Sequence, residues 1–260
     1  MMAAQFIPCR VCAAKPGPKA GFYYIPIPNS FQQGVVECEC HKRYMSHVNL
    51  RRRARQSSIW IEALDYNIDK DYVGTRSVKE VSRLKKYVQE FSRFTSSMVY
   101  MYGPNGTQKT TLAHWVGANV LRQGYTVKYL LMQNLLETLS GFERDGTKQQ
   151  EKQDSIDQLR KVDLLIVDEA FSKDKVTIYD SGYQLPYLDR FLRERCEVLQ
   201  KGILFISNKP PREIEKQKFS TSIQDFVIRN TSKPGGNTCL LFEDNYMQVR
   251  TDFNPDSLFD

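Results

Sequence analysis

The chain has 260 residues, of which 41% are hydrophobic and 26% are charged, a composition typical of a water-soluble globular protein with a sizeable core. No apolar run approaches the roughly 18 residues that a membrane span requires, so we expect no membrane partner. The N-terminus has no long apolar stretch after a basic start, so we expect no signal peptide and a cytoplasmic location.

The formal net charge of +7 is unevenly distributed along the chain. The first 55 residues carry nine Lys or Arg against two Glu, whereas the remaining residues carry 28 charges of each sign. A basic end on a neutral body indicates an anionic partner such as nucleic acid. The alternative is a basic linker that only faces solvent.

Four of the six cysteines lie near the start of the chain, at Cys9, Cys12, Cys38 and Cys40. A CxxC turn presents two thiolates to one tetrahedral ion, and a short segment with few large aliphatic residues needs such a link to fold. We therefore predict a Zn²⁺-binding module over residues 1–48. His41 is an alternative fourth ligand, disulfides are disfavoured in the cytoplasm, and free thiols are the remaining alternative.

Residues 49–76 are basic and then mixed, and we interpret them as a connector to a core at 77–260. The core begins with a predicted amphipathic helix, for which Ser77 is the expected N-cap. Its apolar residues recur at spacings of three and four: Val78, Val81, Leu84, Val88 and Phe91.

Strands and helices then alternate along the chain. The predicted strands are "SMVYMY", "YTVKYLL", "VDLLIVDEA" and "ILFISN". The predicted helices between and after them are "KTTLAHWVGANVLRQG", "MQNLLETLSGF" and "YLDRFLRERCEVLQKG". This alternation predicts an α/β fold, with a parallel sheet covered by helices on both faces. Ligands of such sheets bind beyond the carboxyl ends of the strands.

The segment after the first of these strands fits the phosphate-loop pattern G-x-x-x-x-G-K-[ST]. Its backbone N–H groups would surround the phosphates of ATP, Lys109 would reach the β- and γ-phosphates, and the Thr110 hydroxyl would bind Mg²⁺. The predicted nucleotide-binding residues of this segment are Gly103, Pro104, Asn105, Gly106, Thr107, Gln108, Lys109, Thr110 and Thr111.

One position of the loop departs from the pattern, because Gln108 stands where a glycine is expected before Lys109. Glycine permits close approach of the backbone and dihedral angles that are costly for other residues. Strain of this kind is on the order of 1–3 kcal/mol, or roughly ten- to hundredfold in affinity. Three outcomes follow: weakened ATP binding, a loop that adjusts so that the Gln108 amide contacts phosphate, or a loop that binds nothing.

Polar residues also follow two later strands. Asp168 and Glu169 end the apolar run "LLIVDEA", and Asn208 follows "ILFIS". Asp168 would hold Mg²⁺ and Glu169 would polarise the attacking water. Asn208 would contact the γ-phosphate or that water. An ordinary solvated strand end is the alternative for the two acids, and a turn before proline is the alternative for Asn208.

Together these motifs resemble the AAA+ helicase-loader ATPases of the DnaC/DnaI type and the related transposition helper ATPases of the IstB type. The resemblance covers about residues 58 to 250 and implies a compact AAA+ P-loop core. It rests on the order of six segments: "LKKYVQEF", "MVYMYGPNGTQKTTLA", "GYTVKYLLMQNLLETL", "DLLIVDEA", "RFLRERCEVLQKGILFISNKPP" and "IRN…NTCLLFEDNYMQVR". The family pattern has glycine at position 108, and the stretch around "DFVIRNTSKPGG" is shorter here than is usual.

The resemblance also implies an assembly and partners. Members of that family form rings or spirals with ATP between subunits, and an arginine of the neighbouring subunit completes the site. Arg229 in "FVIRN" matches this arginine best, while Arg195 and Arg250 are further candidates. A surface charge without this role is the alternative for Arg229. Loaders of the DnaI type carry an N-terminal zinc domain that contacts the replicative helicase.

These observations lead to one main functional hypothesis and two alternatives. The main hypothesis is an ATPase, from a phage or mobile element, that loads a hexameric replicative helicase onto single-stranded DNA. The first alternative is a transposition regulator that assembles on duplex DNA and recruits a transposase. The second is an adaptor that keeps the AAA+ shape without binding ATP.

Overall fold

The computed structural model of the chain describes residues 6–28, 31–93, 97–141, 146–179, 181–232 and 238–243. The chain divides into two units, Met1–Arg53 and Ala54–Asp260. The predicted connector at 49–76 is therefore shared between the end of a helix of the first unit and the beginning of the second unit. None of the described helices is long and apolar enough to cross a membrane.

The first unit consists of a short helix, a β-hairpin and a long helix. Helix α1 is Arg10–Ala13, strands β1 and β2 are Phe22–Pro26 and Gln33–Glu37, and helix α2 is Glu39–Gln56. The two strands are antiparallel, with Tyr24 opposite Val35. The boundary between the two units falls near the end of α2.

The second unit begins with short helical segments before its sheet. They are a 3₁₀ turn at Glu62–Leu64, helix α3 at Ile68–Asp71 and helix α4 at Val78–Gln89. The predicted amphipathic helix is confirmed as α4, followed by a 3₁₀ turn at Phe91–Arg93. The prediction was wrong for Val78, which is the first helical residue and is 59% exposed. Ser77 stands at the N-cap position, but its hydroxyl accepts a hydrogen bond from the Glu243 N–H rather than capping the helix.

The five strands of the second unit form one parallel sheet in the order β4-β5-β6-β3-β7. The strands are β3 Met98–Tyr102, β4 Val127–Leu131, β5 Leu164–Asp168, β6 Gly202–Ser207 and β7 Cys239–Leu241. Strands β3, β5 and β6 lie in the middle of the sheet and are buried almost throughout, as their continuous apolar runs predict. The predicted parallel α/β sheet is confirmed.

Helices cover both faces of this sheet. They are α5 Lys109–Arg122, α6 Met132–Ser140, α7 Gly146–Lys161, α8 Gln184–Arg193 and α9 Thr221–Thr231. Tyr100, Val167 and Phe205 point to the face that packs on α6, α8 and α9. On the other face, a Cβ at Gly117 of α5 would lie 3.1 Å from the Ile166 side chain, so this glycine allows the helix to approach β5 closely.

The helix after β5 does not end as a regular α-helix. Helix α8 continues into a π-helical turn at Glu194–Val198, so the predicted helix starting at 187 is confirmed with an irregular last turn. This turn carries Arg195 into the interior, where it is fully buried. Its guanidinium donates hydrogen bonds to the carbonyl oxygens of four residues: Leu159, Arg160, Val162 and Gly202.

Candidate nucleotide-binding site and cysteine cluster

The loop between β3 and α5 has the backbone conformation of a phosphate cradle. Gly103 has φ of 146°, and a Cβ there would lie 2.0 Å from the Phe242 carbonyl oxygen, so only glycine fits. Gly106 also has positive φ, at 80°. The N-terminal end of α5, with its unpaired backbone N–H groups, follows immediately at Lys109.

Oxygen atoms of the loop itself hold the Lys109 ammonium. Its Nζ donates to the carbonyl oxygens of Gly103 at 2.8 Å and Pro104 at 2.7 Å, and to the Thr107 hydroxyl at 3.0 Å. Burial lowers the pKa of Lys109 to about 8, against a smaller opposing effect of the Asp168 charge. The direct hydrogen-bond partners of this buried cation are all neutral oxygens, so an anionic ligand such as phosphate would be favoured beside it.

Gln108 adopts the left-handed conformation that a glycine would take there without strain, with φ of 60° and ψ of 14°. Its side-chain oxygen accepts a hydrogen bond from the Tyr66 hydroxyl at 3.3 Å. The departure from the pattern therefore changes the residue but keeps the loop conformation, and the side chain has a partner in the segment before α4.

The two predicted magnesium ligands meet directly. The Thr110 hydroxyl donates to Asp168 Oδ2 at 2.8 Å, which brings the start of α5 to the end of β5. The Tyr129 hydroxyl donates to the same oxygen at 2.7 Å, and the Glu169 N–H donates to Oδ1 at 2.6 Å. Burial, followed by the Asp168 charge, raises the pKa of Tyr129, so this phenol remains a donor.

A cleft of about 420 Å³ lies beside these groups. Its lining combines the loop with the ends of two strands: Asn105, Gly106, Thr107, Gln108, Lys109, Thr110, Asp168, Glu169, Ser172, Lys175, Ile206, Ser207 and Asn208. Glu169 has positive φ, at 52°, and pairs with Lys175 at 3.4 Å. Thr111 is the next residue of α5 and does not line the cleft. The carboxyl ends of β3, β5 and β6 thus bring the loop, both acids and Asn208 to one place.

The candidate arginines differ in their surroundings. Arg229 on α9 is 61% exposed in its side chain, pairs with Glu197 at 2.8 Å and is not among the residues that line the cleft of its own chain. Arg195 cannot reach a neighbouring subunit, because its buried guanidinium is held by four carbonyl groups. Arg250 lies outside the described residues.

The four N-terminal cysteines form one cluster within the first unit. Their sulfur atoms all lie within 4.8 Å of one another. Sγ–Sγ distances are 3.8 Å for Cys9 to Cys12, 3.6 Å for Cys9 to Cys38 and 3.5 Å for Cys12 to Cys40. Tetrahedral Zn–S bonds of about 2.3 Å place sulfurs roughly 3.8 Å apart, so the cluster fits zinc.

Two further observations concern the candidate ligands of this cluster. Hydrogen bonding, first from the Cys12 backbone and then from the Cys38 thiol, lowers the pKa of Cys9 to about 6, which favours the thiolate there, whereas neighbouring thiols and burial raise the pKa values of Cys38 and Cys40. His41 is not a ligand of the cluster: its Nδ1 bonds to Glu37 Oε1 at 2.6 Å, and its ring packs against Phe6 and Phe22.

Six described residues of the site were not predicted from the sequence: Ser172, Lys175, Ile206 and Ser207, which line the cleft, and the hydrogen-bond partners Tyr66 and Tyr129. Tyr66 lies in the irregular segment before α3, Tyr129 lies inside strand β4 and Lys175 lies in a turn after β5; none of the three belongs to a motif. Only Tyr129 offers a signal that could have been used, since a polar aromatic in a strand beside the Asp168 strand is placed to reach its end.

Comparison with protein families matches residues 30–175 to the family described as IstB-like ATP binding protein, a stretch of more than half of the chain. A search of curated proteins finds no match.

Solved structures show the same fold at low sequence identity. The crystal structure of DnaI has a TM-score of 0.54 and 14% identity, covering 74% of this chain and 99% of that chain. The crystal structure of the DnaC helicase loader has a TM-score of 0.52 and 14% identity, and the match covers 70% of this chain and 99% of that chain. The structure of the replication initiator DnaA bound to AMPPCP and single-stranded DNA has a TM-score of 0.53 and 16% identity. The match covers 75% of this chain, and this chain spans only 58% of the length of that DnaA chain. The second unit therefore has the AAA+ P-loop ATPase fold.

Proposed function

The chain belongs to the family of IstB-like ATP-binding proteins, and from the likeness of its fold to DnaI and to the DnaC helicase loader we propose that it is an ATP-dependent replication factor that loads a hexameric replicative helicase onto single-stranded DNA. The observation that carries the ATPase part is the convergence of Lys109, Thr110, Asp168, Glu169 and Asn208 on one cleft. These residues come from three separate segments, the start of α5 and the ends of β5 and β6, and a decayed site has no physical need to keep all of them together.

Each residue has a distinct task in the proposed site. Lys109 and the loop N–H groups bind the phosphates, and Thr110 with Asp168 holds Mg²⁺. The metal would neutralise phosphate charge during transfer. Glu169 orients and polarises the attacking water, and Asn208 contacts the γ-phosphate or that water. The ion pair of Glu169 with Lys175 keeps this carboxylate at the edge of the cleft.

Assembly would complete the site. ATP would lie between subunits of a ring or spiral, and Arg229 of a neighbouring copy would stabilise the transferred charge. The support for Arg229 is its exposure and its position outside the cleft of its own chain. ATP binding would order this interface and hydrolysis would release it, so that ATP acts as an assembly switch.

The cysteine unit would provide the contact with the helicase. Cys9, Cys12, Cys38 and Cys40 would hold one Zn²⁺, which stabilises a unit too small to fold by apolar burial alone. The support is the sulfur geometry, together with the surplus of basic charge in this part of the chain.

A loading assay tests the proposal. The chain is mixed with a replicative hexameric helicase and single-stranded DNA coated with binding protein, and unwinding is followed with and without ATP. Unwinding should require this chain and ATP, and Lys109→Ala should remove the effect. Glu169→Gln should bind ATP but lower hydrolysis by about a hundredfold or more. Helicase loading that is equal with the wild type and with Lys109→Ala would contradict ATP-dependent loading.

A second candidate function is a transposition regulator that coats duplex DNA and recruits a transposase. The name of the matched family favours it. Electron microscopy distinguishes the two: ATP-dependent filaments on duplex DNA without any helicase would favour the regulator, whereas binding only to single strands and to the helicase would favour the loader.

A further inference from the structure

Asp168 is held by more donors than the motif requires. Its Oδ2 accepts from the Thr110 hydroxyl at 2.8 Å and also from the Tyr129 hydroxyl at 2.7 Å. Thr110 must also serve the metal, whereas Tyr129 is not among the proposed ligands. A hydrogen bond from a neutral hydroxyl to a carboxylate is among the stronger ones in proteins and fixes the direction of the carboxylate.

Tyr129 is itself held in place from two directions. It lies in β4 next to β5, and its backbone N–H donates to the Ser57 carbonyl oxygen at 2.9 Å. Its ring stacks on His114, with ring centres 4.3 Å apart. The phenol oxygen therefore stands at Asp168 because both the backbone and the ring are constrained.

A second stacking contact supports the first. The His114 ring stacks on Trp60 with centres 4.0 Å apart, and its Nδ1 accepts from the Trp60 backbone N–H at 3.3 Å. His114 is fully buried between these two aromatic rings. Three rings thus follow one another from the segment after α2 to the carboxylate that would hold magnesium.

We infer that Tyr129 is a positioning residue of the magnesium site, whose hydroxyl keeps Asp168 directed at Thr110. The inference rests on the proposed ATPase function and adds a residue to it. Tyr129 touches neither nucleotide nor metal in this account, and it acts only through Asp168. Its loss therefore weakens binding that depends on Mg²⁺ and leaves binding without Mg²⁺ unchanged.

The test is Tyr129→Phe, which removes the hydroxyl and keeps the ring that stacks on His114. ATP affinity is measured by calorimetry across a Mg²⁺ titration and in EDTA. We expect the Mg²⁺ concentration that gives half of the increase in ATP affinity to rise about tenfold, which corresponds to the loss of one charge-assisted hydrogen bond. The ATP affinity in EDTA should be unchanged. Tyr183→Phe is the control, because the Tyr183 ring contacts Tyr179 rather than Asp168.

The outcomes separate this inference from the proposed function. An unchanged Mg²⁺ dependence in Tyr129→Phe overturns it. Equal weakening with and without Mg²⁺, or a fall in the melting temperature that accounts for the loss, also overturns it, because Tyr129 would then support the fold rather than the metal site. A wild-type protein that binds no ATP in either condition contradicts the ATPase function itself, and the inference with it.

Discussion

The Tyr66 hydroxyl donates to the Gln108 side-chain oxygen at 3.3 Å, at the one loop position that departs from the phosphate-loop pattern. The backbone of Gln108 is left-handed, with φ of 60°, and this conformation is strained for glutamine but not for glycine. The contact with Tyr66 holds the side chain in a defined place, so the loop conformation is kept despite the substitution.

Replacing Gln108 by glycine should therefore stabilise the protein. We expect Gln108→Gly to raise the free energy of unfolding by about 1 kcal/mol, because relief of left-handed strain exceeds the loss of one long, partly buried hydrogen bond. ATP affinity should stay the same or rise up to about tenfold. Gln108→Ala is the control, since it removes the amide but keeps the strain. Loss of ATP binding in both Gln108→Gly and Gln108→Ala would show that the amide is a required phosphate contact and would contradict this prediction.

The two candidate arginines should give opposite results when each is changed to alanine. Arg195→Ala should lower the free energy of unfolding by about 3 kcal/mol or more, because four buried carbonyl groups lose their donor. Arg229→Ala should leave stability within about 0.5 kcal/mol, since its ion pair is exposed, but lower ATP turnover by assembled protein. Denaturant unfolding measures the stability of both variants. ATP turnover at rising protein concentration measures the effect of Arg229→Ala on the assembled protein. Normal turnover in assembled Arg229→Ala would exclude it as the arginine that acts between subunits.

His114 should make the second unit sensitive to acid. Burial lowers its pKa to about 4, opposed only by the Asp168 charge, while the unfolded chain has a value of roughly 6.5. A depressed folded pKa means that stability is fully present above pH 6.5 and is lost as pH falls towards 4, by an amount on the order of 3 kcal/mol.

Unfolding followed by tryptophan fluorescence tests this, because both tryptophans, Trp60 and Trp115, belong to the second unit. His114→Phe keeps an aromatic ring between Trp60 and Tyr129 and should flatten the decline between pH 6.5 and 4. The exposed His47 is the matched control, and His47→Ala should leave the decline in place. If His114→Phe loses as much stability between pH 6.5 and 4 as the wild type, the decline is caused by other titrating groups and the prediction is wrong.

The cysteine cluster should bind one zinc ion per chain. Metal analysis should find one equivalent in the wild type and in Cys196→Ser, which lies outside the cluster, and little in Cys12→Ser. Chelation should unfold the first unit, because four thiolates without an ion have no other support. ATP binding by the second unit should persist. Full zinc content in Cys12→Ser would contradict a four-cysteine site.

The elements with a strong apolar pattern were predictable from the sequence, and those without it were not. The buried runs around Val167 and Phe205 predicted the sheet, and the glycine-rich turn predicted the loop. Helix α7 was missed because residues 146–161 are almost entirely polar and show no apolar period. The β-hairpin and α9 were also not assigned, although Ile223, Phe226 and Val227 follow a helical spacing and Ser220 caps the helix.

Contacts between residues that are far apart in the sequence could not be predicted from local sequence patterns. Tyr129 and Asp168 are 39 positions apart and meet only because β4 and β5 are neighbours in the sheet. Arg195 was a candidate for the arginine that, in the resembling family, completes the site of a neighbouring subunit, and no pattern in the sequence indicated the π-helical turn that buries it. The residues of the phosphate loop, in contrast, were predictable because their spacing is local.

The measurement that tests the central claim most directly is the ATP affinity of the purified protein, with Lys109→Ala beside the wild type. We predict that the wild type binds ATP in the presence of Mg²⁺ and that Lys109→Ala reduces the affinity by about a hundredfold or more, because the buried ammonium is the main counter-charge of the phosphates. A wild-type protein that binds no ATP, while Gln108→Gly does, would contradict the account and make this chain an adaptor with an inactivated loop.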